Sequence, residues 1–202
     1  GQVLRMTTPA GQAVVNLPLS GAHNASNAAQ ALAAGFAAGL DVQAMAASLE
    51  SFGGVAGRLQ RKQSTTGAQI IDDTYNANPD SMCAAIDVLA ACAGGVQTVL
   101  VMGDMGEVGA ESEALHAEVG AYAAQRGVGA LYAVGLLSAN AVNAYQTNIA
   151  GEARHFATQD ALVQAAPGGR DRQHQALRVA FVGAGLHQAE RLQPAHASAH
   201  LR

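Results

Sequence analysis

The chain has 202 residues, of which 50% are apolar and 13% charged, and its formal net charge is −4. This apolar fraction can bury a substantial core, and an acidic balance offers no basic surface for a phosphate backbone, which excludes nucleic acid as a partner. No apolar run reaches the roughly 18 residues of a membrane span, and the first residues lack a secretory pattern, so we expect a cytoplasmic protein without membrane insertion.

The beginning of the chain contains one predicted strand and two predicted helices. The strand covers residues 13–17. Asn24 and Ser26 are N-cap candidates for an Ala-rich helix that ends near Gly39. A second short helix covers residues 42–51. The two helices contain neither Lys nor Arg, so they do not form a DNA-binding helix-turn-helix.

A glycine-rich segment separates this part from the rest of the chain. Gly53, Gly54 and Gly57 lie within five residues, which predicts a hinge and a domain boundary near Gly57. Beyond it, short apolar strands alternate with helices. The predicted strands cover 68–72, 98–102, 130–134, 154–156 and 177–182, and the predicted helices cover 80–92, 112–125, 136–145 and 159–166. This alternation predicts a Rossmann-like α/β domain with a parallel sheet.

Two loops at predicted strand ends carry candidate binding residues. In open α/β sheets, ligands bind at the carboxyl ends of the strands. The first loop covers residues 72–78 and leads into Pro79, a natural first-turn residue of the next helix. The second covers residues 103–109, and Ser112 can cap the helix that follows. Ordinary turn chemistry also explains both loops, although Tyr75 is larger than a turn requires.

The remaining reactive side chains show no metal-site pattern. His116 lies on a predicted helix beside Glu113 and Glu118, and its sequence context is typical of a surface histidine. None of the histidines has metal-ligand spacing, so no metal site is predicted. Cys83 and Cys92 are nine residues apart in one predicted helix, which places them on opposite faces as free thiols in a reducing compartment.

Two common nucleotide-binding fingerprints are missing from the sequence. It contains no G-x-x-x-x-G-K-[ST] segment, so it cannot bind a triphosphate through a P-loop. It also lacks G-x-G-x-x-G with a following acidic residue, which disfavours a Rossmann-type oxidoreductase. Arg58, just past the hinge, is consistent both with a solvated linker charge and with a phosphate or ribose contact.

Three segments together resemble the Mur ligases. They are GAHNASNAAQALAA at 21–34, GRLQ at 57–60 with IIDDTYNANPDSM at 70–82, and VMGDMGEVGAESEALH at 101–116. The resemblance covers about residues 1–166. It implies that residues 1–57 are the helical end of the family's central P-loop-type ATPase domain. Residues 58–166 then form its Rossmann-like C-terminal ligase domain.

The resemblance also implies an activity. It is closest to the branch that adds D-alanyl-D-alanine to UDP-N-acetylmuramoyl tripeptide, using ATP and an acyl phosphate, in peptidoglycan precursor synthesis. Tyr75, Asn76 and Asn78 would face the incoming dipeptide or the phosphates. The P-loop and the Mg2+ ligands would lie upstream of residue 1, so we expect this chain alone to be inactive and assign it no catalytic residue. The intact protein is expected to be a monomer.

Two alternatives stay open at this point. One is another Mur-type amino-acid ligase, because substrate choice rests largely on the TYNANP segment at 74–79. The other is a non-catalytic nucleotide-binding module of the same fold. A P-loop in the upstream coding sequence would favour a ligase over such a module.

The nucleotide-binding residues implied by the resemblance come from two parts of the chain. Asn24 matches an asparagine that contacts adenine, with His23 and Asn27 as its motif neighbours. Arg58 matches an arginine at the nucleotide, and Asp73 matches an aspartate that accepts hydrogen bonds from the ribose hydroxyls. These roles suit the side chains, since an amide both donates and accepts whereas a carboxylate only accepts.

The tail at 167–202 departs from the family. It carries five basic and two acidic residues, a charge of +3, whereas residues 1–166 carry −7. The family continues from its last strand into a Lys-Gly-Ser-Arg motif, but here no lysine follows Lys62. We therefore hypothesise a shifted reading frame or a divergent terminus in place of the native last strand and helix. The coding DNA read in its other frames tests the first possibility.

Overall fold

The computed structural model describes residues 1–19, 21–64, 67–149, 151–165 and 177–182. The chain divides into two compact units, Gly1–Val55 and Ala56–Arg202. The hypothesis of a shifted or divergent tail falls on residues that lie outside the described ones, apart from the strand at 177–182.

The first unit is a β-hairpin packed against two helices. Strands β1 (Gln2–Thr8) and β2 (Gly11–Leu17) pair antiparallel, and helices α1 (Ala22–Ala37) and α2 (Val42–Glu50) follow. The inward side chains of β2 alternate with exposed ones and form the core of this unit with residues from both helices. Strand β1 was not predicted from the sequence, because its side chains are at most half-buried and it is recognisable only by its pairing with β2.

The start of α1 corrects the predicted N-caps. The N-cap is Gly21, at φ 103°, and no side chain of a described residue caps this helix. Its carbonyl accepts the N–H of Asn24, so Asn24 and Ser26 already lie inside the helix. The N-cap predictions are therefore wrong, because the glycine lets the chain turn into the helix earlier than the polar residues suggest. Helix α2 does have a side-chain cap, since Asp41 accepts the N–H of Ala44 at 2.7 Å.

The second unit is a six-stranded sheet with helices on both faces. Its strands are β3 (Gln60–Gln63), β4 (Gln69–Asp73), β5 (Gln97–Met102), β6 (Ala130–Val134), β7 (Glu152–Phe156) and β8 (Leu177–Val182). Its helices are α3 (Pro79–Ala91), α4 (Ser112–Gln125), α5 (Ala139–Asn148) and α6 (Gln159–Ala165), with a 3-10 turn at Gly109–Glu111. The strand order is β3-β4-β8-β5-β6-β7. Only β3 runs antiparallel to its neighbour, so the predicted Rossmann-like α/β fold is confirmed.

The central strands β5 and β6 are mostly apolar because both sheet faces are covered. In β5, Leu100 and Met102 join a core beneath α3, α4 and α5, whereas Val99 and Val101 join a core beneath α6. This explains why β5 and β6 read as continuous apolar runs. In the part of the chain that the structure describes, no helix combines the length and the apolar character needed to cross a bilayer.

Candidate functional site

The loops that follow β4, β5 and β6 leave the sheet at one edge. The parallel strands end there, and helix N-termini begin there, which is the usual ligand-binding edge of such a sheet. The loop after β4 covers 74–78, that after β5 covers 103–108, and that after β6 covers 135–138. Both predicted candidate loops therefore lie at this edge.

Asp72, the penultimate residue of β4, is a structural carboxylate. It is only 6% exposed, and it accepts hydrogen bonds from Lys62 Nζ at 2.8 Å and from Thr74 Oγ1 at 2.8 Å. Burial alone would raise the pKa of this carboxyl. The hydrogen bonds from Lys62 and Thr74 and the positive charge of Lys62 have the larger combined effect, so the pKa of Asp72 lies below its usual value. Both carboxylate oxygens of Asp72 are therefore used in hydrogen bonds that stabilise the fold.

Asp73, the next residue, is half-buried and binds a neighbouring backbone group. Successive side chains of a strand point to opposite faces, so Asp73 does not share the environment of Asp72. Its Oδ1 accepts the N–H of Leu59 at 3.0 Å. A carboxylate has about four acceptor positions, so this bond is compatible with further hydrogen bonds from hydroxyl groups.

Arg58 and Tyr75 form an exposed stacked pair beside Asp73. The Arg58 guanidinium carbon lies 4.3 Å from the centroid of the Tyr75 ring, and Tyr75 is 59% exposed. The Tyr75 N–H donates to the carbonyl of Gly57 at 3.0 Å, which ties the start of this unit to the loop after β4. Three of the predicted site residues, Arg58, Asp73 and Tyr75, are therefore brought together by the fold.

Asn76 and Asn78 are exposed and bind backbone groups through their side-chain oxygens. Asn78 is the N-cap of α3 and accepts the N–H of Ser81 at 2.8 Å, while the Ser81 hydroxyl accepts the Asn78 N–H. Asn76 accepts the N–H of Ala77 at 2.9 Å. Pro79 begins the helix, as predicted. The oxygens have turn and capping functions, and each amide retains two N–H donors.

His116 is fully buried, so its prediction as a surface histidine is wrong. Its Nε2 accepts the N–H of Met105 at 2.9 Å, which requires the proton on Nδ1, and Nδ1 donates to the carbonyl of Ser112 at 2.6 Å. Asp104 Oδ1 lies 4.0 Å from Nε2, beyond hydrogen-bonding distance. The loop after β5 folds back over α4 and covers the imidazole. Because this contact joins residues that are distant in the chain, the residues around His116 in the sequence do not predict its burial.

Asp104 connects the loop after β5 to the loop after β6. Its Oδ1 accepts the N–H of Leu137 at 3.1 Å and of Ser138 at 2.8 Å, directly before α5. Gly135 has φ 123°, which favours glycine, and a Cβ there would also displace this carboxylate. Ser112 does not cap α4 as predicted, because it is already the first helical residue and its hydroxyl donates to the carbonyl of Gly109.

The other predicted nucleotide-binding residues lie in the first unit. Asn24 and Asn27 are three residues apart on α1, which places them on one face of the helix. Asn24 is half-buried and Asn27 is exposed. His23 Nε2 is buried without a hydrogen-bond partner among the described residues. The structure thus places the predicted residues in two groups, one in each unit.

The cysteines and acidic residues form no metal site in the described ranges. Cys83 and Cys92 are free thiols, as predicted. Burial and the nearby carboxylates of Asp87, Asp80 and Glu118 raise the pKa of Cys83. No group of three or more His, Cys, Asp or Glu side chains among the residues 1–19, 21–64, 67–149, 151–165 and 177–182 is arranged to hold a metal ion.

The fold and the edge loops define an α/β domain with a largely parallel sheet and candidate binding loops at its carboxyl edge. Residues 57–184 match the family described as "Mur ligase, glutamate ligase domain". The chain belongs to this family.

Several proteins are similar to this chain. The UDP-N-acetylmuramoyl-tripeptide–D-alanyl-D-alanine ligase of Escherichia coli is 41% identical over 163 residues, covering 81% of this chain and 34% of that protein. A crystal structure of MurF from Acinetobacter baumannii superimposes with a TM-score of 0.79 at 32% identity, covering 94% of this chain and 41% of that one. The fold is shared by a MurF ligase from Thermotoga maritima in complex with ADP, with a TM-score of 0.65, 20% identity and coverages of 94% and 42%.

This chain corresponds to only part of the length of its relatives. The chain spans about a third of the length of the Escherichia coli ligase. The family match therefore describes the region that this chain shares with its relatives, and it does not by itself establish the activity of a whole ligase.

Proposed function

We propose that this chain is the C-terminal part of an ATP-dependent ligase that adds D-alanyl-D-alanine to UDP-N-acetylmuramoyl tripeptide in the cytoplasm. The observation that carries the proposal is the grouping of Arg58, Asp73 and Tyr75 at the carboxyl edge of the sheet. A cation and a carboxylate acceptor, side by side at this edge, suit the phosphate and the ribose of a nucleotide. The 41% identity to a ligase with this printed activity supports the substrate pair.

Nucleotide-binding functions are proposed for four residues of this chain. Arg58 would bind a phosphate or the ribose, and Asp73 would accept hydrogen bonds from the ribose hydroxyls. Asn24, with Asn27 beside it, would recognise adenine, because an amide both donates to and accepts from a purine edge. A ligase of the same fold has been solved in complex with ADP, and this supports nucleotide binding by the present chain. Mg2+ would be bound by residues upstream of this chain.

The dipeptide would meet the loop after β4. Asn76 and Asn78 use their oxygens for backbone hydrogen bonds, so their NH2 groups are suited to bind a carboxylate or phosphate oxygen. Tyr75 offers an apolar ring face and a hydroxyl at an exposed position. These three residues form the part of the candidate site that distinguishes the dipeptide from a single amino acid.

The chemistry that we propose for the intact enzyme has two steps. The γ-phosphoryl group of ATP passes to the carboxylate of the tripeptide, giving an acyl phosphate and ADP. The amine of D-alanyl-D-alanine then attacks the acyl carbon, a tetrahedral intermediate forms, and inorganic phosphate leaves as the amide is made. Alignment of the amine and stabilisation of the oxyanion are the main requirements on the protein. The edge loops of this chain would contribute alignment.

A reconstituted enzyme tests the proposal. The chain is produced joined to the residues encoded upstream of Gly1, and phosphate release is measured with ATP, UDP-N-acetylmuramoyl tripeptide and D-alanyl-D-alanine. We expect release only when all three are present, a monomer by light scattering, and no activity from the 202-residue chain alone. Release with a single amino acid in place of the dipeptide would identify another Mur-type ligase. An inactive protein without a P-loop would identify a non-catalytic module.

A further inference from the structure

The backbone of Leu59 is left-handed, with φ at 48°. In the described part of the chain only one other non-glycine residue has a positive φ, Glu107 in an exposed loop. This conformation costs free energy for any residue with a Cβ, and a bulky side chain adopts it only where the surroundings require it. Leu59 is half-buried, and its side chain packs against the main core of the second unit. The strain therefore lies directly beside a candidate site residue.

Two hydrogen bonds hold the residues that flank Arg58. The Leu59 N–H donates to Asp73 Oδ1 at 3.0 Å, and the Gly57 carbonyl accepts the Tyr75 N–H at 3.0 Å. We call this pair of bonds the backbone clamp. Both of its partners, Asp73 and Tyr75, belong to the end of β4 and its loop. Arg58 lies between the two bonds, with its guanidinium over the Tyr75 ring.

The direction of the chain at Leu59 decides where Arg58 goes. Gln60 is the first residue of β3 and is paired with Asp72 in the sheet, so the chain after Leu59 is anchored. A rotation about φ of Leu59 would therefore move Arg58 and Gly57 and leave the sheet in place. It would also turn the Leu59 N–H away from Asp73. The left-handed conformation and the stacked position of Arg58 depend on each other.

We infer that Leu59 is a positioning residue, whose left-handed backbone, held by Asp73, places the Arg58 guanidinium for the phosphate of a nucleotide. The inference rests on the proposed function, because that function supplies the ligand of Arg58. In this proposal Leu59 acts through Arg58 and not through a contact of its own with the nucleotide. Asp73 gains a second function in addition to its proposed contact with ribose, since it also holds the backbone that orients Arg58.

Two substitutions separate this function from simple packing of the Leu59 side chain. Leu59→Asn removes the apolar side chain but tolerates a left-handed backbone, whereas Leu59→Val keeps an apolar side chain but resists it through β-branching. If Leu59 positions Arg58, asparagine preserves the site and valine damages it. If Leu59 only fills the core, the order is reversed. Leu59→Gly, which also permits the left-handed conformation, serves as a second permissive variant.

The conformation is measured first, in the 202-residue chain and without any ligand. The intraresidue HN–Hα NOE and the three-bond coupling from Hα to the preceding carbonyl carbon report the sign of φ at residue 59. We expect a left-handed residue in the native chain, in Leu59→Asn and in Leu59→Gly, and a shift away from it in Leu59→Val. A negative φ at Leu59 in the native chain would overturn the inference. Thermal unfolding of each variant shows that the chains compared are folded.

Nucleotide binding is measured second, as ADP affinity by calorimetry in the chain joined to its upstream residues. We expect Leu59→Asn to bind like the native protein and Leu59→Val to bind about three- to tenfold more weakly. In an Arg58→Ala background the valine substitution should have no further effect, because Leu59 acts through Arg58. A valine effect that persists without Arg58 contradicts the inference. Absence of ADP binding by the native protein rejects the proposed function instead.

Discussion

The imidazole of His116 accepts the backbone N–H of Met105 at 2.9 Å, and this bond holds the loop after β5 against the first turn of α4. The other ring nitrogen donates to the Ser112 carbonyl, so both nitrogens of a fully buried side chain are satisfied. Because Asp104 in the same loop also holds the start of α5, these few bonds order two of the loops at the carboxyl edge.

Replacing His116 should therefore destabilise the second unit. His116→Phe leaves the Met105 N–H without its acceptor and removes the imidazole donor from the Ser112 carbonyl, and we expect a loss of about 2–3 kcal/mol in the free energy of unfolding. His116→Gln can still accept one hydrogen bond and should lose less. Urea denaturation of the 202-residue chain measures both, with the exposed Glu113→Gln on the same helix as the matched control. Equal stability of the phenylalanine variant and this control would contradict the expected role.

Asp104 should stabilise the turn that leads into α5. Asp104→Ala removes the acceptor of the N–H groups of Leu137 and Ser138, and we expect a loss of about 1–2 kcal/mol. Asp104→Asn retains an acceptor oxygen and should be affected less. Hydrogen exchange at Leu137 and Ser138 gives a local readout of this turn. Unchanged protection of both amides in the alanine variant would show that other contacts hold this helix end.

Gly57 should be intolerant of a side chain for two reasons. Its φ is 69°, and a Cβ there would lie 3.2 Å from the Tyr75 backbone nitrogen. Gly57→Ala should cost about 1–2 kcal/mol from the left-handed conformation alone, plus the effect of this contact. Gly67→Ala is the matched control, since Gly67 has φ 89° and open space around its Cβ position. Denaturation midpoints measure both variants, and an equal loss would mean that the contact with Tyr75 has no energetic effect.

The Asp72 carboxyl should make stability depend on pH in acid. Its folded-state pKa is lowered below 3.8, so its ionised form is favoured by folding. This contribution is complete above the unfolded-state pKa and is lost as the pH falls through the folded-state pKa. We expect the native chain to lose stability below about pH 4 more steeply than Asp72→Asn, which cannot ionise. Parallel pH profiles of unfolding for the two chains would exclude Asp72 as the source.

The alternation of strands and helices was predictable because each element carries its own pattern. Strands β5 and β6 are apolar on both faces, and the bounds of α4, 112–125, agree with the prediction. Strand β3 was not predicted, because it is a short polar edge strand that only its pairing with β4 identifies. Helix α5 begins three residues later than predicted, because Asp104 holds the preceding residues in a turn.

The sequence by itself determined the fold class, the family and the presence of a polar loop after β4, predicted at 72–78 and found at 74–78, because these depend on local apolar patterns and on motifs that are contiguous in the chain. Only the tertiary structure decided that His116 is buried, that Asp73 holds Leu59 and that Arg58 stacks on Tyr75. Each of these contacts joins residues at least eleven positions apart. Local sequence carries no information about which distant backbone group will face a given side chain, since the packing of whole helices and strands brings them together.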